Sequence, residues 1–305
     1  PIGSNEADIV WEWHFWDHLV QDINPSLDNY GIINENPQLL NINCEGSPGS
    51  GGGNVGIRDW NHCNSISYNT ILDQIVISSR HMNEFYVIDH STSIIEASSH
   101  SGGNSGLGGD FLYRWGNPQN YNRGNSENQI LSAQHGVNWI QEGFPGAGNF
   151  IIFNNKHENN SSAVLEIVPP IQSNGLYEIS GSEPFAPESY FWIYQSNFYS
   201  GFQSGAFRLE NGNTLITSTN DSSVFEVNMD GEVEWSYEGD LKTARAIKYP
   251  LDYLSVSIPG DLNSDGIINI LDVIQLINIV LSNTFQAGGD INNDEVINIL
   301  DVVLL

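Results

Sequence analysis

Residues 205–238 read GAFRLENGNTLITSTNDSSVFEVNMDGEVEWSYE and contain the clearest repeat unit of the chain. Short runs rich in β-branched and aromatic residues alternate there with Asn-Gly, Asn-Asp and Asp-Gly pairs, which favour tight turns. This pattern predicts a meander of four short antiparallel strands. A meander of about 35–45 residues that recurs along a chain is typical of the blades of a β-propeller.

Two earlier parts of the chain repeat this pattern. Residues 64–100 contain NSISYN, QIVISSR, EFYVIDH and IIEASSH, and residues 135–180 contain HGVNWI, NFIIFNN, SAVLEIVPP and LYEIS. Each part predicts four further strands, and DIVWEWHFW at residues 8–16 predicts the outer strand of a preceding blade. A propeller closes into a ring to protect its sheet edges. We therefore expect an all-β, partial β-propeller whose remaining blades lie upstream of Pro1.

The amino-acid composition argues against several classes of function. The chain of 305 residues has 9 Lys+Arg against 37 Asp+Glu and a net charge of -28. This charge argues against binding to nucleic acid or to an anionic membrane, because both need cationic side chains. There is no apolar run of about 18 residues, so the sequence predicts no membrane span. The hydrophobic fraction of 39% is sufficient for a folded core.

The acidic, Lys-poor composition favours a secreted, periplasmic or cell-surface location. The sequence starts at Pro1 without a signal peptide and stops at Leu305 inside an apolar stretch. We expect a piece of a longer protein, cut at both ends. Cys44 and Cys63 either form one disulfide in an oxidising compartment or remain two buried thiols.

The last part of the chain differs in composition. From Gly260 to Leu305 there is no Lys, Arg, Trp or His, and carboxylates are set among Ile, Leu and Val. The turn-forming pair Pro259-Gly260 marks the boundary. We therefore predict a propeller segment at residues 1–258 and a small helical module at residues 259–305.

Two twelve-residue segments of this module, DLNSDGIINILD and DINNDEVINILD, match a calcium-binding loop. Alternate positions of such a loop present the carboxylate, amide and backbone oxygens that a hard cation needs. The predicted ligands are Asp261, Asn263, Asp265, Ile267, Asn269 and Asp272 in the first loop and Asp290, Asn292, Asp294, Val296, Asn298 and Asp301 in the second.

Aspartate at the last loop position and the duplication make this module resemble a type I dockerin. The resemblance implies a Ca²⁺-dependent fold and a cohesin-like or cell-surface partner. Two positions depart from the dockerin pattern. Glu295 replaces the glycine at position 6 of the second loop, which should weaken that site. Ile270 and Leu271 stand where many dockerins carry the Ser/Thr pair that cohesins recognise. Because the second helix stops at Leu305, we expect one complete calcium site.

The predicted blades also bring polar residues together. The first strand of each blade lines the central channel of a propeller. His62 and Asn64 start one such strand, and His135 starts the next one about 70 residues later. Period-two alternation places His62 and Asn64 on the same side of their strand, and Arg80 ends the neighbouring strand. We expect these four side chains at one mouth of the channel.

Several ordered motifs resemble the bacterial arylsulfotransferases over roughly residues 8–240. They are DWNHCNSISYN, QIVISSR, QHGVNWI with GNFIIFNN, and FRLENGNTLI. The resemblance implies a six-bladed propeller in the whole protein. It also implies transfer of a sulfuryl group from an aryl sulfate to a phenol through a sulfated histidine, with no PAPS and no other nucleotide.

The resemblance assigns roles residue by residue. The family's His-x-Asn motif and the arginine that follows it match His62, Asn64 and Arg80. Its nucleophilic histidine, at another blade entry, matches His135. A further family histidine lies either upstream of this sequence or at His18.

The chemistry suits these residue types. Sulfuryl transfer resembles phosphoryl transfer, in which charge collects on the equatorial oxygens of a loose trigonal group. One neutral imidazole can attack sulfur, and a second can exchange a proton with the phenol. Arg80 and Asn64 can donate to the sulfuryl oxygens. The aromatic residues predicted to contact the aryl ring are Trp60, Tyr68 and Trp139.

Two other functions fit the fold. One is a propeller without catalysis that binds a carbohydrate or protein and is tethered by the dockerin-like module, and the other is a structural surface protein. Two imidazoles and a guanidinium at one mouth favour the enzyme. Among the other polar residues, Asp110 and Arg114 predict a structural ion pair. The histidines predicted to lie at the surface are His81, His90, His100 and His157.

Overall fold

The computed structural model describes residues 8–44, 59–158, 161–249, 258–282 and 284–305. The chain divides into two compact units, Pro1–Lys248 and Tyr249–Leu305. We call them the β unit and the helical unit. None of the helices in the described ranges is both long and apolar enough to cross a bilayer.

The β unit contains one small parallel pair and three four-stranded antiparallel sheets. The parallel pair is β1 (Leu19–Val20) and β2 (Leu40–Asn41). Blade 1 is β3 (Cys63–Asn69), β4 (Gln74–Ser79), β5 (Glu84–Asp89) and β6 (Tyr113–Trp115). Blade 2 is β7 (His135–Trp139), β8 (Phe150–Asn154), β9 (Ala163–Ile167) and β10 (Trp192–Gln195). Blade 3 is β11 (Gly205–Arg208), β12 (Thr214–Ser218), β13 (Ser223–Val227) and β14 (Val233–Glu238).

Each blade is a meander in which sequential strands pair as neighbours. The predicted all-β, partial propeller is therefore confirmed, and all four predicted strands of blade 3 are present. The short remaining helical turns of the β unit are 3₁₀ helices at Phe15–Asp17, Ile33–Glu35, Pro118–Tyr121 and Ser126–Asn128.

The fourth strand of blade 1 was predicted at residues 94–100, and this prediction is wrong. Residues Ile94–Ala97 form a short helix, α1. Ser93 accepts a hydrogen bond from the Glu96 backbone, and the Glu96 carboxylate accepts one from the Ser93 backbone at 2.8 Å. This capping box stabilises a helical turn. The fourth strand is instead β6, which follows a glycine-rich loop.

Two further strand predictions are wrong. Residues 176–180 contribute only an isolated bridge between Ile171 and Tyr177, and β10 completes blade 2. Residues 8–14 are not a strand. Trp11 and Trp13 instead pack against the apolar cluster on the face of blade 1 that is turned away from blade 2. The alternation of Trp11 and Trp13 with polar residues therefore reflects an irregular segment that packs on a sheet, and not a strand.

The blades bury apolar side chains on both faces. In β5, Phe85 and Val87 join the cluster shared with blade 2, whereas Tyr86 and Ile88 join the cluster on the opposite face. Strands covered on both faces are apolar at nearly every position, as in the segment EFYVID. By contrast, β14 is exposed along its whole length.

The predicted Asp110–Arg114 ion pair is also wrong. Strand pairing places Arg114 opposite Tyr86 and beside Glu84. The Arg114 guanidinium donates to both Glu84 oxygens, at 3.0 and 2.6 Å, and neither side chain is exposed. Burial alone would lower the pKa of Arg114, but the Glu84 carboxylate raises it above its ordinary value. Asp110 instead contacts histidines.

Cys44 and Cys63 are not joined by a disulfide. The Cys44 thiol is half-buried and donates to Asn120 Oδ1 at 2.8 Å, whereas Cys63 is exposed. The helical unit contains α2 (Ile270–Ser282), a 3₁₀ turn (Ala287–Gly289) and α3 (Ile299–Leu304). Its small core consists of Leu262, Leu276 and Ile279, with Ile291, Ile297, Val302 and Leu305 packed against them.

Candidate functional site

The residues just before the inner strands have an uncommon backbone conformation, and they orient the side chains of the candidate site. His62, Ala133 and Gln203 precede β3, β7 and β11, and all three have positive φ angles, of 48°, 55° and 50°. Residues other than glycine rarely adopt this conformation, and it is often found at functional sites. The pairing of β3 shifts register just after Cys63, and that of β7 shifts just after His135. Such bulges redirect side chains.

Hydrogen bonds join the inner strands of successive blades. Asn64 Nδ2 donates to the Gln134 carbonyl at 2.7 Å. One blade later, Asn138 Nδ2 donates to the Ala206 carbonyl at 3.0 Å. The inner strands β3, β7 and β11 therefore lie side by side, and the first residues of each strand face the same region.

The His135 imidazole has a defined tautomer. Its Nδ1 lies 2.8 Å from Asn155 Oδ1 and 3.1 Å from the Ala133 carbonyl. Asn155 Nδ2 donates to the carbonyls of Ser200 and Gln203, so the Asn155 oxygen must face the histidine. Both atoms near Nδ1 are acceptors, and Nδ1 therefore carries the proton. The lone pair of a neutral His135 is consequently on Nε2.

Its surroundings keep His135 neutral. The side chain is 7% exposed. Burial, with a smaller contribution from the nearby Arg80 and His62 side chains, lowers the pKa of His135 to about 4, against the opposing effect of the hydrogen bond to Asn155. At neutral pH His135 is thus an uncharged imidazole with an available nitrogen lone pair.

Arg80 lies next to this imidazole and is 8% exposed. Its backbone N–H donates to the His62 carbonyl at 3.1 Å. Burial lowers the pKa of Arg80, while Asp59 and Tyr199 oppose that shift. Within the described ranges, no carboxylate or carbonyl accepts a hydrogen bond from its guanidinium. A buried guanidinium with unused donors is suited to bind an anion with several oxygens.

His62 is oriented by Asp59 and packed on a second imidazole. Its Nδ1 donates to the Asp59 carboxylate. The His81 ring stacks on the His62 ring with 4.7 Å between centroids, and His81 Nδ1 donates to the Asp59 carbonyl at 2.7 Å. The hydrogen bond from His62 lowers the pKa of Asp59, and the nearby His81 contributes. Asp59 is therefore ionised and can stabilise a protonated His62.

Asn64 presents an acceptor to this region. Its Nδ2 is bound to the Gln134 carbonyl, and its Oδ1 is buried without a hydrogen-bond partner in the described part of the chain. The sequence predicted Asn64 as a donor to sulfuryl oxygens. In this arrangement only its second N–H remains for that role, whereas the whole Oδ1 is free to accept from a hydroxyl group.

The helical unit contains two ordered acidic loops. In the first, the Asp261 carboxylate accepts hydrogen bonds from the backbone of Asp265 at 3.1 Å and of Gly266 at 2.8 Å. Asp272 Oδ2 accepts one from the Asn269 backbone at 2.9 Å. This last hydrogen bond is the main reason why the pKa of Asp272 is lowered. Hydrogen bonds from its own backbone to Asp261 and Asp272 therefore close the loop.

The second loop repeats these contacts. Asp290 accepts from the Glu295 backbone at 2.9 Å, and Asp301 accepts from the Asn298 backbone at 2.8 Å. Glu295 has a φ of 66°, in the left-handed region that Gly266 occupies with a φ of 84°. A side chain at this position carries a strain that the first loop avoids.

The family described as Arylsulfotransferase (ASST) matches residues 2–220. The chain belongs to the arylsulfotransferase family. Residues 259–305 match the type I dockerin domain. Both resemblances stated from the sequence are thereby confirmed. No curated protein matches the sequence.

The solved structures that match part of this chain are distant. They include a protein of unknown function from Bacteroides caccae, at 13% identity and a TM-score of 0.33, and virginiamycin B lyase from Staphylococcus aureus, at 8% and 0.31. BamB from Moraxella catarrhalis is a third, at 12% and 0.29. Each comparison covers 58% of this chain. The chain spans only 45%, 41% and 35% of their respective lengths.

The arylsulfotransferase chain brings four predicted residues together and leaves others elsewhere. His62, Asn64, Arg80 and His135 share one region. His18 does not join them. It is fully buried, with Nδ1 2.8 Å from Asp110 and Nε2 2.8 Å from the Ala97 carbonyl.

The three aromatic residues predicted to contact the aryl ring lie in different parts of the β unit. Trp60 is two residues before His62 in the chain, and it borders a groove of about 290 Å³ with Asn61 and the aromatic residues at 13–16. Tyr68 is at the opposite end of β3, about 20 Å away at about 3.3 Å per residue. Trp139 is 6% exposed and packs on Phe150 with 4.9 Å between centroids. Of the three candidates, Trp60 is therefore the one that is close to His62 in the chain and borders a groove.

Sequence inspection missed Asp59, His81 and Asn155. His81 was expected at the surface, but it is 6% exposed because its backbone N–H binds the Asn61 carbonyl and turns the chain inward. The adjacent pair Arg80-His81 at a strand end was the available signal. No local signal marks Asn155, since its contact with His135 depends on the β7–β8 pairing.

Proposed function

We propose that this protein transfers a sulfuryl group from an aryl sulfate ester to a phenolic acceptor, with His135 as the nucleophile. The observation that supports this most directly is the state of His135. It is a neutral imidazole whose Nδ1–H is fixed by Asn155, and it lies near Arg80, whose guanidinium has no hydrogen-bond acceptor among the described residues. Membership of the arylsulfotransferase family supports the same reaction class.

In the first half-reaction, His135 Nε2 attacks sulfur and an N–S bond forms as the S–O bond to the aryl group breaks. The leaving phenolate takes a proton from the Nε2–H of a protonated His62, whose charge Asp59 stabilises. In the second half, neutral His62 takes the proton of the acceptor phenol. The phenol oxygen then attacks sulfur and releases His135.

The remaining residues position and stabilise the transferred group. Charge develops on the sulfuryl oxygens, and the Arg80 guanidinium is the buried cation that can bind them. Asn64 Oδ1 can accept from the phenol hydroxyl and orient its oxygen toward sulfur. The groove bordered by Trp60 offers an aromatic edge to the aryl ring. We propose no nucleotide cofactor for this reaction.

We further propose that the dockerin domain binds Ca²⁺ and tethers the enzyme outside the cell. The donors of the first loop are all carboxylate, amide and carbonyl oxygens, which suit a hard cation. Exposed apolar residues lie next to this loop, since Ile270, Leu271 and Ile274 are 67%, 57% and 50% exposed. A cohesin-like or cell-surface partner with an apolar surface fits this face.

The test is a transfer assay with a chromogenic aryl sulfate, with and without a phenol acceptor, followed by peptide mass spectrometry. We expect acceptor-dependent release of the chromophore and a peptide that contains His135 with the added mass of SO₃. The His135→Gln variant should lose both signals, and His90→Gln, which removes an imidazole that contacts Asp73 at the opposite end of the β3–β4 pair, should keep them. A folded protein with neither release nor adduct would instead support the ligand-binding propeller.

A further inference from the structure

A second group of histidines lies outside the proposed catalytic region. His18 Nδ1 and His100 Nδ1 each lie 2.8 Å from the same oxygen, Asp110 Oδ1. The three atoms lie within 4.8 Å of one another. The side chains of His18 and Asp110 are 0% and 4% exposed, whereas that of His100 is 60% exposed. The group is therefore buried on one side and open on the other.

The protonation pattern of this group calls for a positive charge. His18 Nε2 lies 2.8 Å from the Ala97 carbonyl. A carbonyl only accepts, so Nε2 carries a proton. In a neutral His18, the lone pair on Nδ1 then points at the carboxylate of Asp110. Two acceptors at 2.8 Å repel each other unless a proton or a metal ion lies between them.

The surrounding chain holds the His18 ring in place. The Trp13 ring stacks on it with 5.3 Å between centroids and an interplanar angle of 1°, and Trp13 Nε1 donates to the Gly109 carbonyl at 2.7 Å. A Cβ atom at Gly109 would lie 2.6 Å from His18 Nε2 and 2.1 Å from the Ala97 carbonyl. Only glycine allows this close approach. The geometry of the three donor atoms is therefore built into the fold.

We propose that His18, His100 and Asp110 bind a divalent transition-metal ion of the Zn²⁺ type. Imidazole nitrogen and carboxylate oxygen are common zinc ligands, and three protein ligands leave a fourth position for water. A metal-bound histidine usually donates its other ring N–H to a carbonyl or carboxylate, as His18 does to Ala97. The ion would join the N-terminal segment to the glycine-rich insertion at residues 98–110.

Two other groups of polar residues are less suited to this ion. The dockerin loops offer only oxygen donors, which favour Ca²⁺. Asp59, His62 and His81 also have donor atoms within 4.8 Å of one another. That group lies next to the buried positive charge of Arg80, which would repel a second cation. The His18 group has no such neighbour in the described ranges.

The test uses the intact chain, stripped of metal with a chelator and then reloaded with Ca²⁺ so that the dockerin loops are occupied. Calorimetric titration with Zn²⁺ should show one site, and Co²⁺ should give the visible absorption of a four-coordinate nitrogen and oxygen site. His100→Ala and Asp110→Asn should each weaken Zn²⁺ binding by at least about 100-fold, because each removes a direct ligand. His14→Ala should bind as the wild type does.

Three results would overturn the proposal. The first is a wild-type protein that binds no Zn²⁺. The second is unchanged Zn²⁺ binding by His100→Ala, which would show that His100 is not a ligand. The third is loss of the same Zn²⁺ site in His62→Ala, which would assign the ion to the other group.

Discussion

Acidification should destabilise the β unit through His135. Burial holds the pKa of the folded-state imidazole at about 4, against 6.5 for the ordinary histidine. Between these two values the unfolded chain binds a proton that the folded chain excludes. The contribution of His135 to stability is therefore complete above pH 6.5 and is lost as the pH falls toward 4.

The size of the stability loss follows from the difference between the pKa values of His135 in the unfolded and folded chain. Each pH unit below 6.5 costs about 1.4 kcal/mol until the folded-state pKa is reached, so the loss is about 2 kcal/mol at pH 5 and about 3 kcal/mol near pH 4. Carboxylates also titrate in this range. Their effect is common to the wild type and to a His135→Gln variant, so the difference between the two proteins isolates the imidazole.

The assay is denaturant unfolding at pH 7 and pH 5, followed by tryptophan fluorescence. All eight Trp residues lie in the β unit, so the signal does not report the dockerin domain. The unfolding free energy of the wild type should fall between the two pH values by about 2 kcal/mol more than that of His135→Gln. His14→Gln should behave as the wild type does. An equal fall in the wild type and His135→Gln would refute a buried, neutral His135 and the nucleophile argued from it.

Other perturbations give distinct outcomes. Arg80→Met should lower kcat/KM for aryl sulfate by about 100–1000-fold, since it removes the donors to the sulfuryl oxygens. Steady-state assays check this, and an unchanged value would exclude that role. Glu84→Gln should cost about 3–5 kcal/mol in denaturant unfolding, because it leaves the Arg114 charge buried and unpaired. A cost below about 1 kcal/mol would contradict this. Glu295→Gly should raise the Ca²⁺ affinity of the second loop by about 5-fold in calorimetry, and Gly266→Ala should lower that of the first loop by about 5-fold. Each substitution changes the backbone strain of a residue in the left-handed region by about 1 kcal/mol. Opposite signs would show that the strain does not control binding.

Much of the site was predictable from repeat position. His62 directly precedes β3 and His135 begins β7, and the alternation of residues in a strand predicts Asn64 on the same side as His62. Their proximity follows from the propeller arrangement, without any knowledge of individual contacts. The same argument failed for Tyr68 and Trp139, because both lie at the far ends of their strands. Position along a strand decides which mouth a side chain reaches.

Contacts between distant segments were not predictable. Arg114 was paired with Asp110 because the two are close in sequence, but β5–β6 pairing brings it to Glu84. The fourth strands of blades 1 and 2 were misplaced for a related reason. Long insertions separate the third and fourth strands, and a short apolar run such as residues 94–97 fits a capped helical turn as well as a strand.

The sequence alone determined the blade repeat, the acidic loops and the four residues at the inner mouth, because turns, alternation and loop spacing are local properties of the chain. The tertiary structure decided the state of those residues. His135 is a neutral imidazole with its lone pair on Nε2 because Asn155 accepts a hydrogen bond from Nδ1–H and burial lowers the pKa of the side chain to about 4. Both effects come from strands and loops far away in sequence, since desolvation and hydrogen bonding depend on which groups are packed together in space.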